Sequence, residues 1–150
     1  MNWSDEEKCL AAVRSNGWAL EFVKHQTEEI CLEAVKRNGL VLKYVKQQTK
    51  KICLAAVKQN GFALNYVKEQ TEEIGLTAVE QNGWALQHVK KQTLKLCLEA
   101  VKNNSFALKF VKNQTEEICL VVAEQNEEAL QFVDKEKFPD IFAYYKLLFS

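Results

Sequence analysis

Among the side chains of this 150-residue sequence, the five cysteines are the most capable of chemistry. A thiolate can bind zinc, form a disulfide or attack a substrate, and each use requires a partner at a suitable distance. Here each gap between cysteines is 22 residues or a multiple of 22, and Gly75 occupies the one missing step. This cysteine column comprises Cys9, Cys31, Cys53, Cys97 and Cys119. Without close pairs, and because free cysteine behaves as a small buried hydrophobe, we predict buried, reduced and metal-free thiols.

The two histidines give little support to an enzymatic function. His25 lies in a variable column, and His88 stands where other parts of the chain have Phe or Tyr. Neither has a serine, cysteine or carboxylate partner at a motif spacing. The sequence also lacks a phosphate-binding glycine loop, an H-E-x-x-H motif and a G-x-S-x-G motif. We therefore predict a protein that is not an enzyme and that uses no cofactor, metal or small-molecule substrate.

The 22-residue step extends over nearly the whole chain, as threonines and asparagines repeat with it. Six copies of one unit occupy residues 5–26, 27–48, 49–70, 71–92, 93–114 and 115–136. Similarity at a fixed period is typical of proteins built from stacked repeats, in which each repeat packs against its neighbours. We expect a single helical-repeat domain over residues 1–150.

Each unit predicts a pair of helices. Thr27 is a candidate N-cap, because its hydroxyl can accept a hydrogen bond from a free N–H group in the first helical turn. Asn38-Gly39 ends this helix, with the glycine expected in the left-handed conformation that follows many helix ends. A second, shorter helix is predicted from about Leu40 to Gln48. The apolar residues of both helices cover an arc of about 200°, twice the width that a surface helix needs, which indicates packing on two sides.

The predicted fold is therefore all-α: an α-solenoid of six 22-residue, two-helix repeats with a C-terminal capping helix at about residues 138–149. Pro139 suits the first turn of that helix. Its apolar face is predicted to close the last repeat and comprises Phe138, Ile141, Phe142, Tyr145 and Leu148. A docking peptide or a dimer contact is the alternative use of this helix.

Asparagine occupies one position in all six units, from Asn16 to Asn126. The helical angle points this column into the apolar arc, where a polar side chain needs hydrogen-bond partners. We predict a ladder in which each asparagine binds backbone groups of the adjacent repeat.

Composition limits the environment and the partners. The 20 basic and 20 acidic residues balance, so strong general attraction to nucleic acid or to an anionic membrane is not indicated. No apolar run approaches the roughly 20 residues that cross a bilayer. The polar, acidic N-terminus does not resemble a secretory signal. We expect a cytoplasmic, monomeric protein in a reduced compartment.

Charge is uneven along the chain, however. Residues 36–58 contain seven basic residues and no acidic one. Within this stretch Lys50 and Lys51 replace the glutamates that suit a helix start, so the sequence gives up a favourable interaction with the helix dipole. The predicted anchor for a partner comprises Lys43, Lys46, Lys50, Lys51 and Lys58. A second candidate is the aromatic flank of the second helices, with Tyr44, Tyr66, Trp84 and His88.

Two classes of function remain open. The protein either binds another protein along the solenoid surface, and inhibits or scaffolds it, or binds RNA or a protein–RNA complex through the basic middle. The lysine column that includes Lys46 has a predicted step of about 10 Å, longer than the phosphate step of a single strand. It also lies on the opposite side of the helix from the aromatic column, which separates base stacking from phosphate contact. A protein partner is therefore favoured.

The units resemble the repeats of the family named domain of unknown function 4116, in which a short helix ending in A-V-x-x-N-G leads into a second helix. The matching strings lie at residues 34–39, 56–61 and 78–83, and the glycine is lost at Ser105 and Glu127. The resemblance implies helical repeats and an interaction function, without catalytic residues. As a free-standing array the chain looks similar to a binder or inhibitor, including phage-encoded inhibitors of RNA-guided nucleases.

Overall fold

The computed structural model describes residues 5–150, and every regular element in this range is a helix. The α-helices are α1 (Glu6–Ser15), α2 (Glu28–Arg37), α3 (Lys50–Gln59), α4 (Glu72–Gln81), α5 (Leu94–Asn103), α6 (Glu116–Gln125) and α7 (Pro139–Leu148). Between them lie the 3₁₀ helices η1 (Gly17–Phe22), η2 (Gly39–Tyr44), η3 (Gly61–Tyr66), η4 (Gly83–His88), η5 (Ser105–Phe110) and η6 (Glu127–Phe132). None of the helices in residues 5–150 is long and apolar enough to cross a membrane.

Each repeat consists of one α-helix and one 3₁₀ helix, and the repeats stack into two layers. The α-helices pack side by side in one layer, and the 3₁₀ helices line up in the other. Every helix contacts only elements of its own repeat and of the adjacent repeats. The core lies between the layers, where Val35, Leu42 and their counterparts are fully buried. The predicted all-α solenoid is confirmed.

The threonines start the α-helices as predicted. Thr27 Oγ1 accepts from the Ile30 N–H group at 3.2 Å, and Thr49 Oγ1 accepts from the Ile52 N–H group at the same distance. Three later repeats repeat this cap, while Asp5 caps α1. Because a cap satisfies a free N–H group of the first turn, each α-helix begins at the residue after its threonine.

The asparagines act within their own repeat, so the predicted ladder between repeats is wrong. Asn38 Oδ1 accepts from the Leu40 N–H group at 3.0 Å, and the Asn38 N–H group donates to the Ala34 carbonyl at 3.0 Å. Each asparagine thus ends an α-helix and starts the following 3₁₀ helix. The side-chain oxygen is thus used for a local cap and not for the backbone of the next repeat, which the helical angle alone did not indicate.

The glycines after the asparagines are not left-handed, because no residue in the described range has a positive φ. They are needed for close approach between repeats. A Cβ atom on Gly61 would lie 2.6 Å from the Ala78 carbonyl oxygen of the next repeat, and one on Gly17 would lie 2.8 Å from the Ala34 oxygen. In repeat 5 the site holds Ser105, whose hydroxyl donates to Gln125 Oε1 at 3.2 Å.

The second helix is shorter than predicted. In repeat 2 it ends at Tyr44 rather than near Gln48, and Val45 is extended, with φ −73° and ψ 117°. Lys46 therefore lies beyond the helix and not in its last turn. The Tyr44 carbonyl and the Lys46 N–H group, which a longer helix would use for its own hydrogen bonds, are bound instead by a side chain from the preceding repeat.

That side chain is a glutamine, which sequence reasoning missed. Gln26 Nε2 donates to the Tyr44 carbonyl at 2.8 Å, and Gln26 Oε1 accepts from the Lys46 N–H group at 2.9 Å. The same bridge joins each later pair of repeats through Gln48, Gln70, Gln92 and Gln114. Its signal was present in the sequence, since all five glutamines precede a cap threonine at the 22-residue step.

The C-terminal helix α7 packs against α6 and η6, as the capping prediction requires. Ile141 is buried, while Phe138, Phe142 and Tyr145 are partly buried against the core. Leu148, however, is 59% exposed, so its assignment to the packed face is wrong. Leu147 and Phe149 are also exposed, which shows that the last turn of α7 extends past the surface of repeat 6.

Replacing one bridging glutamine tests its contribution. Gln48→Ala removes two hydrogen bonds to the backbone of the next repeat, each with a net contribution of about 1 kcal/mol. We expect the free energy of unfolding in urea to fall by about 2 kcal/mol. The matched control is the exposed neighbour Gln47→Ala, which loses no hydrogen bond and should change stability by less than about 0.5 kcal/mol. Equal effects of the two substitutions would contradict the bridge.

Candidate partner-binding surface

The nine residues predicted to bind a partner lie in three separate parts of the structure. Lys51 and Lys58 lie on α3, at an open groove in the α layer. Lys46 and Lys50 line a different depression, at the edge formed by the loops between repeats. The 3₁₀ layer holds Lys43, Tyr44, Tyr66, Trp84 and His88.

We call the first of these places the α3 groove and define it by six lining residues. They are Lys36, Lys51, Leu54, Ala55, Lys58 and Gln59. The groove is open to solvent and has a volume of about 570 Å³. Its lining contains three lysines and no acidic residue.

Helical periodicity explains how α3 forms this groove. Lys51, Leu54, Ala55 and Lys58 are spaced by three or four residues, so they share one face of the helix. Lys36 comes from α2, where it is the counterpart of Lys58 one repeat earlier. The result is an apolar floor of Leu54 and Ala55 between lysines.

Comparison with the preceding repeat shows which acidic residues α3 lacks. Arg14 of α1 binds Glu29 and Glu33 of α2, with nitrogen–oxygen distances of 3.8 and 3.2 Å. One repeat later Lys36 takes the place of Arg14, but Lys51 and Ala55 take the places of the two glutamates.

As a result, the lysines of the α3 groove lack partners. Within residues 5–150, Lys36, Lys51 and Lys58 make neither an ion pair nor a side-chain hydrogen bond. The counterpart of Lys58 in α5, by contrast, is Lys102, which pairs with Glu99 at 3.6 Å. The groove thus concentrates positive charge that the chain itself does not neutralise.

Lys50 differs from Lys51, because it forms an ion pair with Glu73 of α4. Lys50 also interrupts a series of hydrogen bonds from a cap threonine to a glutamate of the preceding repeat. Thr49 Oγ1 donates to Glu28 of the preceding repeat at 3.3 Å, whereas Lys50, at the position of Glu28, can accept no bond from Thr71. The charge of Lys50 is therefore compensated within the chain, which weakens its case as an anchor for a partner.

Lys46 also has a contact within the solenoid. Its Nζ atom donates to the Lys24 carbonyl at 3.0 Å, and Lys68 Nζ donates to the Lys46 carbonyl at 3.4 Å. These bonds join the loops of successive repeats and give Lys46 and Lys68, two members of the lysine column, a structural role. A role of Lys46 in binding a partner stays a prediction.

The aromatic residues of the 3₁₀ layer pack between repeats. Trp18 and Tyr44 form an edge-to-face pair with ring centroids 6.0 Å apart, and Phe62 and His88 form another at 5.9 Å. Tyr66 is half-buried, and Trp84 packs on the Phe110 ring of the next repeat. These contacts join the layer together and leave the rings of Tyr44, Tyr66, Trp84 and His88 half-buried.

In two repeats a lysine side chain lies over these aromatic rings. Lys43 Nζ lies 5.1 Å from the Trp18 ring centroid and 4.8 Å from that of Tyr44. Lys109 lies in the same way over Trp84 and Phe110. Burial lowers the pKa of His88, which favours its neutral form in this apolar row. Lys43 thus belongs to the aromatic layer and not to the α3 groove.

The cysteines are buried, as predicted, and the four from Cys31 onward contact the bridging glutamines. Cys31 Sγ donates to Gln26 Oε1 at 3.6 Å, and the later cysteines make the equivalent contact. Burial, with a smaller effect of Glu28, raises the pKa of Cys31 to about 11. Burial also raises the pKa of Cys119 to about 11. In the described part of the chain, no three His, Cys, Asp or Glu side chains form a group that could hold a metal ion.

Gly75 interrupts the cysteine column because of its neighbour in repeat 5. A Cβ atom on Gly75 would lie 3.0 Å from Leu96 Cδ2. Leu96 stands where the repeats around it have an isoleucine, such as Ile52 and Ile74. The leucine side chain thus fills the space that a side chain at position 75 would use.

The raised thiol pKa values predict a loss of stability at alkaline pH. The folded protein holds the Cys31 and Cys119 protons more tightly than the unfolded chain, whose thiols ionise near the ordinary value of 9.0. The stabilisation is therefore complete below pH 9 and falls as the pH rises towards about 11. Thiolate absorbance should show a midpoint near 11 for these thiols in buffer and near 9 in urea. Coincident titrations would contradict the burial effect.

Comparison with known proteins identifies the repeat. The family model described as "Domain of unknown function (DUF4116)" matches residues 27–72, 50–95 and 71–115, which together span more than half of the chain. No curated protein and no solved structure matches the sequence. Each matched segment contains two α-helices and the 3₁₀ helix that follows each of them, so the family model covers two of the stacked units described above. The chain therefore belongs to the DUF4116 family.

Proposed function

We propose that this protein is a non-enzymatic interaction protein that binds an acidic segment of a partner protein in the α3 groove, and thereby inhibits or scaffolds that partner. One observation carries the proposal. Lys36 has the position of Arg14 but lacks both of the glutamates that neutralise Arg14 one repeat earlier. A carboxylate from outside the chain would restore the missing ion pairs.

The groove has the composition of a small protein interface. Leu54 and Ala55 provide an apolar floor, and Lys36, Lys51 and Lys58 provide a charged rim. Protein interfaces commonly combine an apolar centre with a polar rim. Lysines at such a rim increase the rate of association with an acidic partner and select against basic ones.

RNA, or a protein–RNA complex such as an RNA-guided nuclease, is the second candidate. The seven basic residues between positions 36 and 58, without an acidic one, favour it. Single-stranded nucleic acid is usually held by cations together with aromatic rings that stack on bases. In this chain Trp84 and Tyr44 pack against neighbouring repeats in the other layer, away from the α3 groove. This separation makes the protein partner the better-supported candidate.

Reversing the charge of two groove lysines tests the proposal. Lys51→Glu combined with Lys58→Glu should reduce the affinity for the native partner at least about tenfold, or about 1.4 kcal/mol. The fold should be retained, because neither side chain has a contact that the change would break. The partner would be captured from the native host, identified, and titrated by calorimetry with each variant.

The matched control carries the same change of charge elsewhere. Lys90→Glu combined with Lys91→Glu alters two exposed lysines at a loop between repeats 4 and 5. If this control weakens binding as much as the groove variant, the effect is one of net charge and the groove proposal fails. Unchanged affinity of the groove variant would also exclude it.

The salt dependence of the same titration separates the two candidate partners. Nucleic acid releases many counterions on binding, so its affinity falls steeply as salt is added. A protein segment that also contacts Leu54 and Ala55 should lose affinity more gradually. Loss of binding after nuclease treatment, together with a steep salt slope, would support the RNA candidate.

A further inference from the structure

Four Asn-Gly pairs give this chain a reaction that it can undergo without an enzyme. The pairs begin at Asn16, Asn38, Asn60 and Asn82. In such a pair the glycine nitrogen can attack the asparagine Cγ atom, with loss of the nitrogen's proton and release of the side-chain nitrogen as ammonia. The product is a five-membered succinimide. Water then opens the ring at either carbonyl and leaves aspartate or isoaspartate. Glycine favours the attack because it has no side chain to obstruct it.

The four pairs start from the same backbone geometry. The ψ angles of Asn16, Asn38, Asn60 and Asn82 are 108°, 110°, 113° and 112°. In this extended conformation the glycine nitrogen points away from the asparagine Cγ atom. Ring closure therefore requires rotation about ψ, which moves the glycine N–H group out of its native position. Any hydrogen bond of that N–H group must break first.

Three of the glycines have such a hydrogen bond. The Gly39 N–H group donates to Gln59 Oε1 at 2.6 Å, and the Gly61 N–H group donates to Gln81 Oε1 at 2.6 Å. In repeat 4 the Gly83 N–H group donates to Asn103 Oδ1, also at 2.6 Å. The acceptor comes each time from the last turn of the α-helix in the following repeat.

The first pair lacks this acceptor. Arg37 has the position that Gln59, Gln81 and Asn103 have in later repeats, and its guanidinium group can donate but cannot accept. Within residues 5–150 the Gly17 N–H group has no hydrogen-bond acceptor. Asn16 is also exposed, whereas Asn38, Asn60 and Asn82 are half-buried, so water and base reach it more readily.

We propose that Asn16 is a site of spontaneous deamidation, and that the side-chain acceptor of the next repeat protects the three later Asn-Gly pairs. The reaction consumes water and releases ammonia. Asn16 Oδ1 caps η1 by accepting from the Trp18 N–H group at 3.1 Å. Aspartate retains that acceptor. Isoaspartate adds a methylene group to the main chain, breaks the cap and loosens η1 from α2.

To test the proposal, the intact chain is kept at 37 °C and pH 8 and then digested, and deamidation at each asparagine is measured by mass spectrometry of the peptides. We expect deamidation at Asn16 to exceed that at Asn38, Asn60 and Asn82 by about fivefold or more. This factor corresponds to about 1 kcal/mol for the hydrogen bond that the later pairs must break. Equal rates at the four sites, or a faster rate at a later site, would overturn the proposal.

Two variants test whether the missing acceptor, and not general opening of the first repeat, causes the faster deamidation of Asn16. Arg37→Gln supplies an acceptor to Gly17 and should slow deamidation at Asn16 to the rate of the later sites. Gln59→Ala removes the acceptor of Gly39 and should accelerate deamidation at Asn38 alone. Circular dichroism would verify that both variants remain folded.

Amide hydrogen exchange provides a second measurement that does not depend on deamidation. The Gly17 amide should exchange faster than the Gly39 amide in the native chain, and Arg37→Gln should remove the difference. If Arg37→Gln leaves both the exchange of Gly17 and the deamidation of Asn16 unchanged, general opening of the first repeat controls the reaction and the proposal is wrong.

Discussion

Each 3₁₀ helix from η2 to η6 ends at a carbonyl and an amide that the helix itself cannot satisfy, and a glutamine of the preceding repeat binds both of them. The order of the solenoid depends on this bridge. It binds the backbone where the 3₁₀ helix ends after six residues and the following valine is extended. The same amide oxygen accepts from the buried thiol of the following repeat at four of the five junctions, so the cysteine and glutamine columns are in contact.

The bridge also explains which features of the fold the sequence could predict. The 22-residue period is visible in the sequence itself, and the threonine caps and the helical arcs depend on neighbours within one unit, so they can be recognised in a single repeat. The side chain that binds the end of the second helix is Gln26, which belongs to another repeat. The role of Gly61 depends on the Ala78 carbonyl of the next repeat, so a rule based on local conformation assigned it a left-handed geometry that it does not have.

The residues of the candidate site were also only partly predictable from the sequence. Composition alone drew attention to Lys51 and Lys58, because an excess of positive charge is visible in a list of residues. The pairing of Lys50 with Glu73 could not be derived from one unit, since it joins the first turns of successive α-helices. The decisive comparison was between repeats. Arg14 and Lys36 have equivalent positions, and only the structure showed which side chains of the next helix face them.

Contacts limited to adjacent repeats have a consequence for the kinetics of folding. The side-chain hydrogen bonds between neighbouring repeats join residues only 18 to 24 positions apart. The stretch of chain that must be closed to form them is therefore short, and it is the same at every junction. Because the entropy of loop closure depends on this separation and not on total length, a longer array would meet no larger barrier at each step. Duplication of one unit would extend the protein without slowing the addition of any repeat to its neighbour.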